Sequence, residues 1–93
     1  MSEVLAALWN TIEARKRDAP AGSYTASLFA AGLPRVAQKV GEEAVEVAVA
    51  ALSEGDERVV AEMADLVYHS LVLLSARGLA WTAVEDELAK RFH

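Results

Sequence analysis

Apolar residues along the chain recur at helical spacing and are interrupted by short polar or glycine- and proline-containing breaks. Leu5, Leu8, Trp9 and Ile12 follow the i, i+3, i+4, i+7 pattern of one helix face. A first helix is therefore expected from about Ser2 to Asp18, with Ser2 as its N-cap. Ala19-Pro20-Ala21-Gly22 ends it. A short second helix carries Leu28 and Phe29 and stops at Gly32. Pro34 suits the first turn of a third helix, expected to reach about Leu52. Ser53-Glu54-Gly55-Asp56 reads as a turn, and Asp56 as the N-cap of a fourth helix running to about Arg77 and stopped by Gly78. Thr82-x-x-Glu85 reads as a capping box for a last helix with Val84, Leu88 and Phe92. Strand-like alternation is not sustained anywhere. The expected fold is all-α, a single domain over residues 1–93, with the two long central helices forming a hairpin.

Both central helices are apolar on nearly every side. On the fourth, Val59, Val60, Met63, Leu66, Val67 and Leu71 cover most directions. A helix that is hydrophobic all round must be buried all round, and a chain of 93 residues has little material to surround two of them. This predicts a homodimer in which two hairpins pair as a four-helix bundle.

Charge sharpens the picture. Nine Lys and Arg stand against 14 Asp and Glu, a net charge of −5. The window from Glu42 to Asp65 contains eight acids and one base, Arg58, so the surplus negative charge lies within it. An acidic chain without a basic stripe does not suit duplex nucleic acid. No unbroken run of about 18 apolar residues suggests a membrane span, and the N-terminus has no basic lead of the kind a signal peptide carries. The chain has no cysteine, hence no disulfide, thiolate metal site or thiol nucleophile. A cytoplasmic location fits these features.

Several of the acids stand where a surface decoration would not be placed. With about 100° per residue, Val36, Val40 and Val47 fall within roughly 60° of Glu43, and Glu46 lies about 60° to the other side. Lys39 falls between the two acids. Glu43 and Glu46 thus border an apolar stripe, while Glu42 lies further round, either at the site or on a solvated face. Glu62 and Asp65 form a second i, i+3 pair on the fourth helix, on the side of Leu66, His69 and Leu73. A short turn between antiparallel helices would bring the pairs face to face. Carboxylates so placed repel each other strongly in a low-dielectric site, and a cation resolves the repulsion. Oxygen ligands without cysteine favour Mg²⁺, or Mn²⁺ as a substitute, over zinc. Carboxylate-held Mg²⁺ completes its shell with waters and substrate phosphates, so an acidic pocket becomes a phosphate site. Lys39 could hold a phosphate oxygen there, or simply pair with Glu43 at i, i+4. A metal-activated water attacking phosphorus is the chemistry this set suggests, with Glu42 or Glu43 to take the proton. Glu54, Asp56 and Glu57 belong to a turn and helix start and are read as solvated.

At these residues the sequence resembles a known family. Ser23-Tyr24-Thr25-x-x-Leu28-Phe29, Gly32, Lys39-Val40-Gly41-Glu42-Glu43-x-x-Glu46, Glu62-x-x-Asp65-Leu66-Val67-Tyr68-His69 and Ala76-Arg77-Gly78-Leu79 are similar to phosphoribosyl-ATP pyrophosphohydrolase of histidine biosynthesis. That family belongs to the all-α, MazG-like nucleotide pyrophosphohydrolases, which share EExxE followed by ExxD. The resemblance implies Mg²⁺-dependent hydrolysis of the α–β phosphoanhydride of phosphoribosyl-ATP. It implies Glu43, Glu46, Glu62 and Asp65 as metal ligands, Glu42 as a further ligand or base, and Lys39 as a phosphate contact. Ser23, Tyr24 and Thr25 match a substrate-facing segment, although helix capping and packing would account for them equally. Arg77 either reaches a phosphate or caps the fourth helix, the latter being favoured where a helix C-terminus attracts a cation. His69 reads as a core histidine more readily than as a support for the metal ligands. Trp9 and Trp81 read as packing residues.

Two other functions compete with this one: a related all-α pyrophosphohydrolase of nucleoside triphosphates, and a non-catalytic dimeric bundle. A di-iron bundle would need Glu-x-x-His pairs, and neither acid pair ends in His.

Overall fold

Ser2 begins the first helix as expected. In the computed structural model, which describes residues 2–92, its hydroxyl accepts from the Leu5 backbone N–H at 3.2 Å. Helix α1 spans Glu3–Asp18 and ends at Ala19, whose φ of 46° places an alanine in the left-handed region. Helix α2 spans Tyr24–Ala31; Ser23 caps it by accepting from Ala26 N–H at 3.1 Å. Gly32, at φ 95°, turns the chain into α3, Leu33–Ser53, with Pro34 in its first turn. Helix α4 spans Asp56–Ala76 and α5 spans Trp81–Phe92. There is no strand among the described residues, so the all-α expectation holds.

Two helix starts differ from the sequence reading. Gly55 is the N-cap of α4, and Asp56 is already its first helical residue. The acid still lies in the first turn, where the helix dipole favours it. Helix α5 begins at Trp81, so Thr82 lies inside the helix and cannot act as the N-cap of a capping box. Trp81 packs against the core, and that anchor sets the helix start.

Helices α3 and α4 run antiparallel as a hairpin of two 21-residue helices, each about 32 Å long. Ala50 is fully buried, as a small residue must be where two helices approach closely. Helices α1 and α2 close one side. Ile12 of α1, Leu28 of α2, Val36 of α3, and Leu71 and Val72 of α4 form the core, flanked by Trp9, Phe29 and Trp81 among others. A polar link ties α1 to the end of α4. The Ser75 hydroxyl donates to Glu13 Oε1 at 2.8 Å, and Lys16 Nζ donates to the Ser75 carbonyl at 2.6 Å.

Helix α4 is long and apolar enough by length and composition to cross a membrane, contrary to the expectation drawn from unbroken apolar runs. Its residues instead do two jobs of a bundle helix. Leu71 and Val72 fill the core, and Glu62 and His69 are buried polar groups. Apolar side chains stay exposed at the outer edges of the hairpin: Val45, Val49 and Leu52 on α3, and Val60 and Met63 on α4 beside Val4, Leu5 and Leu8 of α1.

Candidate metal and phosphate site

The two acid pairs meet across the α3–α4 hairpin. Carboxylate oxygens of Glu43, Glu62 and Asp65 all lie within 4.8 Å of one another. Glu43 and Glu62 are each 6% exposed, whereas Asp65 opens to solvent. Glu46 is also exposed, and lies within electrostatic reach of the Glu62 and Glu43 carboxylates. The pull of Glu62 first and Glu43 second on a Glu46 proton, with repulsion between the charged forms, pushes the Glu46 pKa up to about 7. Three of the four acids expected as metal ligands, Glu43, Glu62 and Asp65, thus come together, with Glu46 beside them.

Each buried acid is only half satisfied. Glu43 Oε1 faces Lys39 Nζ at 3.3 Å, and Glu62 Oε1 accepts from the Arg58 guanidinium. The other oxygens, Glu43 Oε2 and Glu62 Oε2, are buried without a hydrogen-bond partner. An unpaired buried carboxylate oxygen is expensive and calls for an explanation. The orphaned atoms belong to an all-oxygen cluster, and a hard divalent cation fits that donor set.

Cations flank the cluster on both sides. Lys39 lies 3.5 Å from Glu42 as well as close to Glu43. Burial acts to lower its pKa, but the hydrogen bond to Glu43 and the charges of Glu43 and Glu42 outweigh it, so the value lies above the ordinary one. Arg58 bridges Glu62 and Glu54 and, with Glu46 and Val49, lines an open depression of about 300 Å³. Glu42 turns out of the cluster. It accepts from Gln38 Nε2 at 3.2 Å and lies 3.9 Å from Arg35.

The phosphoribosyl-ATP pyrophosphohydrolase profile matches residues 5–92. The chain belongs to this family. Its phosphoribosyl-ATP pyrophosphatase relatives include one from Metallosphaera sedula, 58% identical over 91 residues and 98% of both chains. Another, from Pyrobaculum calidifontis, is 57% identical over 88 residues, covering 95% of this chain and 94% of the relative. A third, from Paramagnetospirillum magneticum, is 51% identical over 90 residues, 97% of this chain and 83% of its own.

The remaining residues matched to the pyrophosphohydrolase pattern are placed less uniformly. Ser23 caps α2, and the Thr25 hydroxyl bonds to that of Tyr68. Tyr24 is half-exposed, and its hydroxyl meets His69 Nε2 at 3.0 Å. The other nitrogen of His69, Nδ1, faces the Asp65 carbonyl at 2.7 Å. These contacts join the Tyr24 segment to the acid-bearing turn of α4. Arg77 sits at the C-cap of α4, about 18 Å along the axis from Asp65, and does not join the cluster of its own chain.

Sequence reasoning did not assign the Arg58–Glu62 pair or the Tyr24–His69 bond. The first was legible as an i, i+4 spacing. The second joins residues 45 positions apart and left no local signal.

Proposed function

We propose that this chain hydrolyses the α–β phosphoanhydride of 1-(5-phosphoribosyl)-ATP, giving the AMP derivative and pyrophosphate, with Mg²⁺ as cofactor. The observation that carries the reading is the pair of orphaned buried oxygens, Glu43 Oε2 and Glu62 Oε2, inside the cluster of Glu43, Glu62 and Asp65, with Glu46 beside it. Family membership supports the substrate, through relatives named phosphoribosyl-ATP pyrophosphatases.

Glu43, Glu46, Glu62 and Asp65 hold the metal in this reading. When bound, the ion supplies positive charge that offsets the carboxylates and polarises phosphoryl oxygens. Lys39, at the edge of the cluster, holds a further phosphate oxygen; its raised pKa keeps it charged. Of the two candidate bases, Glu43 is committed to the cluster. Proton acceptance therefore falls to Glu42, which is turned outward beside Lys39. Ser23, Tyr24 and Thr25 form one wall of the substrate pocket, and Arg77 serves as the helix cap.

The homodimer belongs to the same proposal. Val45, Val49 and Leu52 on α3, and Val60 and Met63 in a groove shared with Val4, Leu5 and Leu8 of α1, leave apolar surface exposed on the hairpin, and a second copy is the occupant that a four-helix bundle requires. Val49 also lines the depression beside the acids, so the interface adjoins the site. The direct test is Mg²⁺-dependent release of pyrophosphate from phosphoribosyl-ATP, with ATP and dUTP as controls. Release from phosphoribosyl-ATP at least tenfold faster than from either control is expected. Equal rates on all three would favour a general nucleoside triphosphate pyrophosphohydrolase.

A further inference from the structure

His69 is a histidine with both ring nitrogens engaged and 5% exposure. A backbone carbonyl can only accept, so the Nδ1 facing Asp65 O at 2.7 Å carries the proton. In the neutral ring Nε2 is then the acceptor, and the Tyr24 hydroxyl 3.0 Å away is the donor. The direction of both bonds follows from that one carbonyl.

The chain of contacts continues around Tyr24. Its ring stacks on Tyr68 at 6.4 Å and 30°, and meets His69 edge-on at 5.9 Å. Tyr68 is held by the Thr25 hydroxyl and packs edge-on against His69 at 4.8 Å. One end of the Tyr24 side chain is thus tethered to a buried anchor and one face is braced. The rest is open, with 52% of the residue exposed. A half-exposed tyrosine normally samples several rotamers; here the hydroxyl bond and the ring contacts favour one. The Lys39 ammonium lies within electrostatic reach of its hydroxyl as well as of Glu43. Beyond the phosphates that Lys39 and the acids would hold, the next part of a nucleotide is its sugar and base. An immobilised aromatic face suits either, since every base has a π-face to stack.

We propose that His69 is a positioning residue: through its Nε2 it fixes Tyr24 as the wall against which the nucleoside part of the substrate packs. This rests on the nucleotide pyrophosphohydrolase reading above. It gives His69 a part in substrate binding that its burial alone would not suggest. The same residue contacts the backbone of the turn that bears Asp65, so the α2 wall and the α4 acids are set relative to each other through one ring.

Four variants test it under saturating Mg²⁺. Tyr24→Phe removes only the hydroxyl. His69→Asn keeps a donor for the Asp65 carbonyl but removes the acceptor for Tyr24. His69→Gln places an amide oxygen near the former Nε2. The fourth combines Tyr24→Phe with His69→Asn. Each of the first two is expected to raise KM about three- to tenfold, with kcat within about twofold, as loss of one hydrogen-bonded restraint on binding implies. The double variant should be no worse than either single one, because both break the same link. His69→Gln should recover most of the loss. In ¹⁵N spectra His69 should show a protonated Nδ1, with the Nε2 resonance moving in Tyr24→Phe. A wild-type KM in Tyr24→Phe, with Mg²⁺-dependent hydrolysis intact, overturns the proposal and leaves the functional reading standing. So do single effects that multiply in the double variant. That readout stands even if His69→Asn fails to fold, because Tyr24 lies at the surface. Absence of hydrolysis in the wild type overturns the functional reading and this inference with it.

Discussion

Glu46 and Asp65 are the exposed acids of the site, and the Glu46 proton reports the state of the whole group. The unfolded chain gives up this proton near 4.5, the folded chain only near 7. Between those values the folded state binds more protons, so without metal its stability falls as pH rises from about 4.5 to about 7. Thermal melts in a chelator should show this slope, and saturating Mg²⁺ should flatten it, because a cation replaces the shared proton. Glu46→Gln removes the titrating group and should flatten the slope as well. We expect Glu46→Gln and Asp65→Asn to lower hydrolysis by at least about a hundredfold, while the metal-free variants melt at or above the wild-type temperature, because repulsion is relieved. Unfolding of either variant, or full activity, would contradict the site.

Helix boundaries carry a second kind of information. Spacing alone placed both acid pairs on the correct faces of α3 and α4, because i, i+3 residues lie on one side of any helix. Ends were less legible. Asp56 and Thr82 have the chemistry of N-caps, yet neither is one; the turn geometry at Gly55 and the docking of Trp81 decide where those helices begin. The end of α1 exposes a local conflict. Ala19 adopts φ 46°, and it is the single non-glycine residue with positive φ among those described. An L-residue in that conformation costs roughly 1–2 kcal/mol. Ala19→Gly should therefore stabilise the protein by about 0.5–1 kcal/mol, after allowing for the greater flexibility of glycine in the unfolded chain. Chemical denaturation would measure it. A loss of stability would mean that the alanine methyl group makes a contact worth more than the strain.

The whole molecule is a hairpin clad on one side. Helices α1 and α2 cover the core face, while Val45 and Val49 on α3 and Val60 and Met63 on α4 stay exposed, the last two beside Val4, Leu5 and Leu8 of α1. The apolar composition that makes α4 long and apolar enough for a membrane span is what burial by a second copy, as proposed, would require. In sedimentation at micromolar concentration we expect a dimer. Met63→Lys should shift it towards monomer and lower its stability, since a charge on that face is poorly tolerated in a packed bundle. A well-folded wild-type monomer at that concentration would refute the bundle.

The sequence by itself determined the all-α class, the five helices, the two acid pairs and the family to which they point. These follow from periodicity and short spacings, which are properties of a helix before it packs. Only the tertiary structure decided which carboxylates share a site. It buried Glu43 and Glu62, drew Glu46 and Asp65 to them and turned Glu42 outward. It also showed the Ser23 hydroxyl serving as a helix cap, and it gave His69 its two partners. Solvent access and contacts between distant segments depend on how α2, α3 and α4 meet. No local pattern in a sequence encodes the burial that leaves two carboxylate oxygens without a partner.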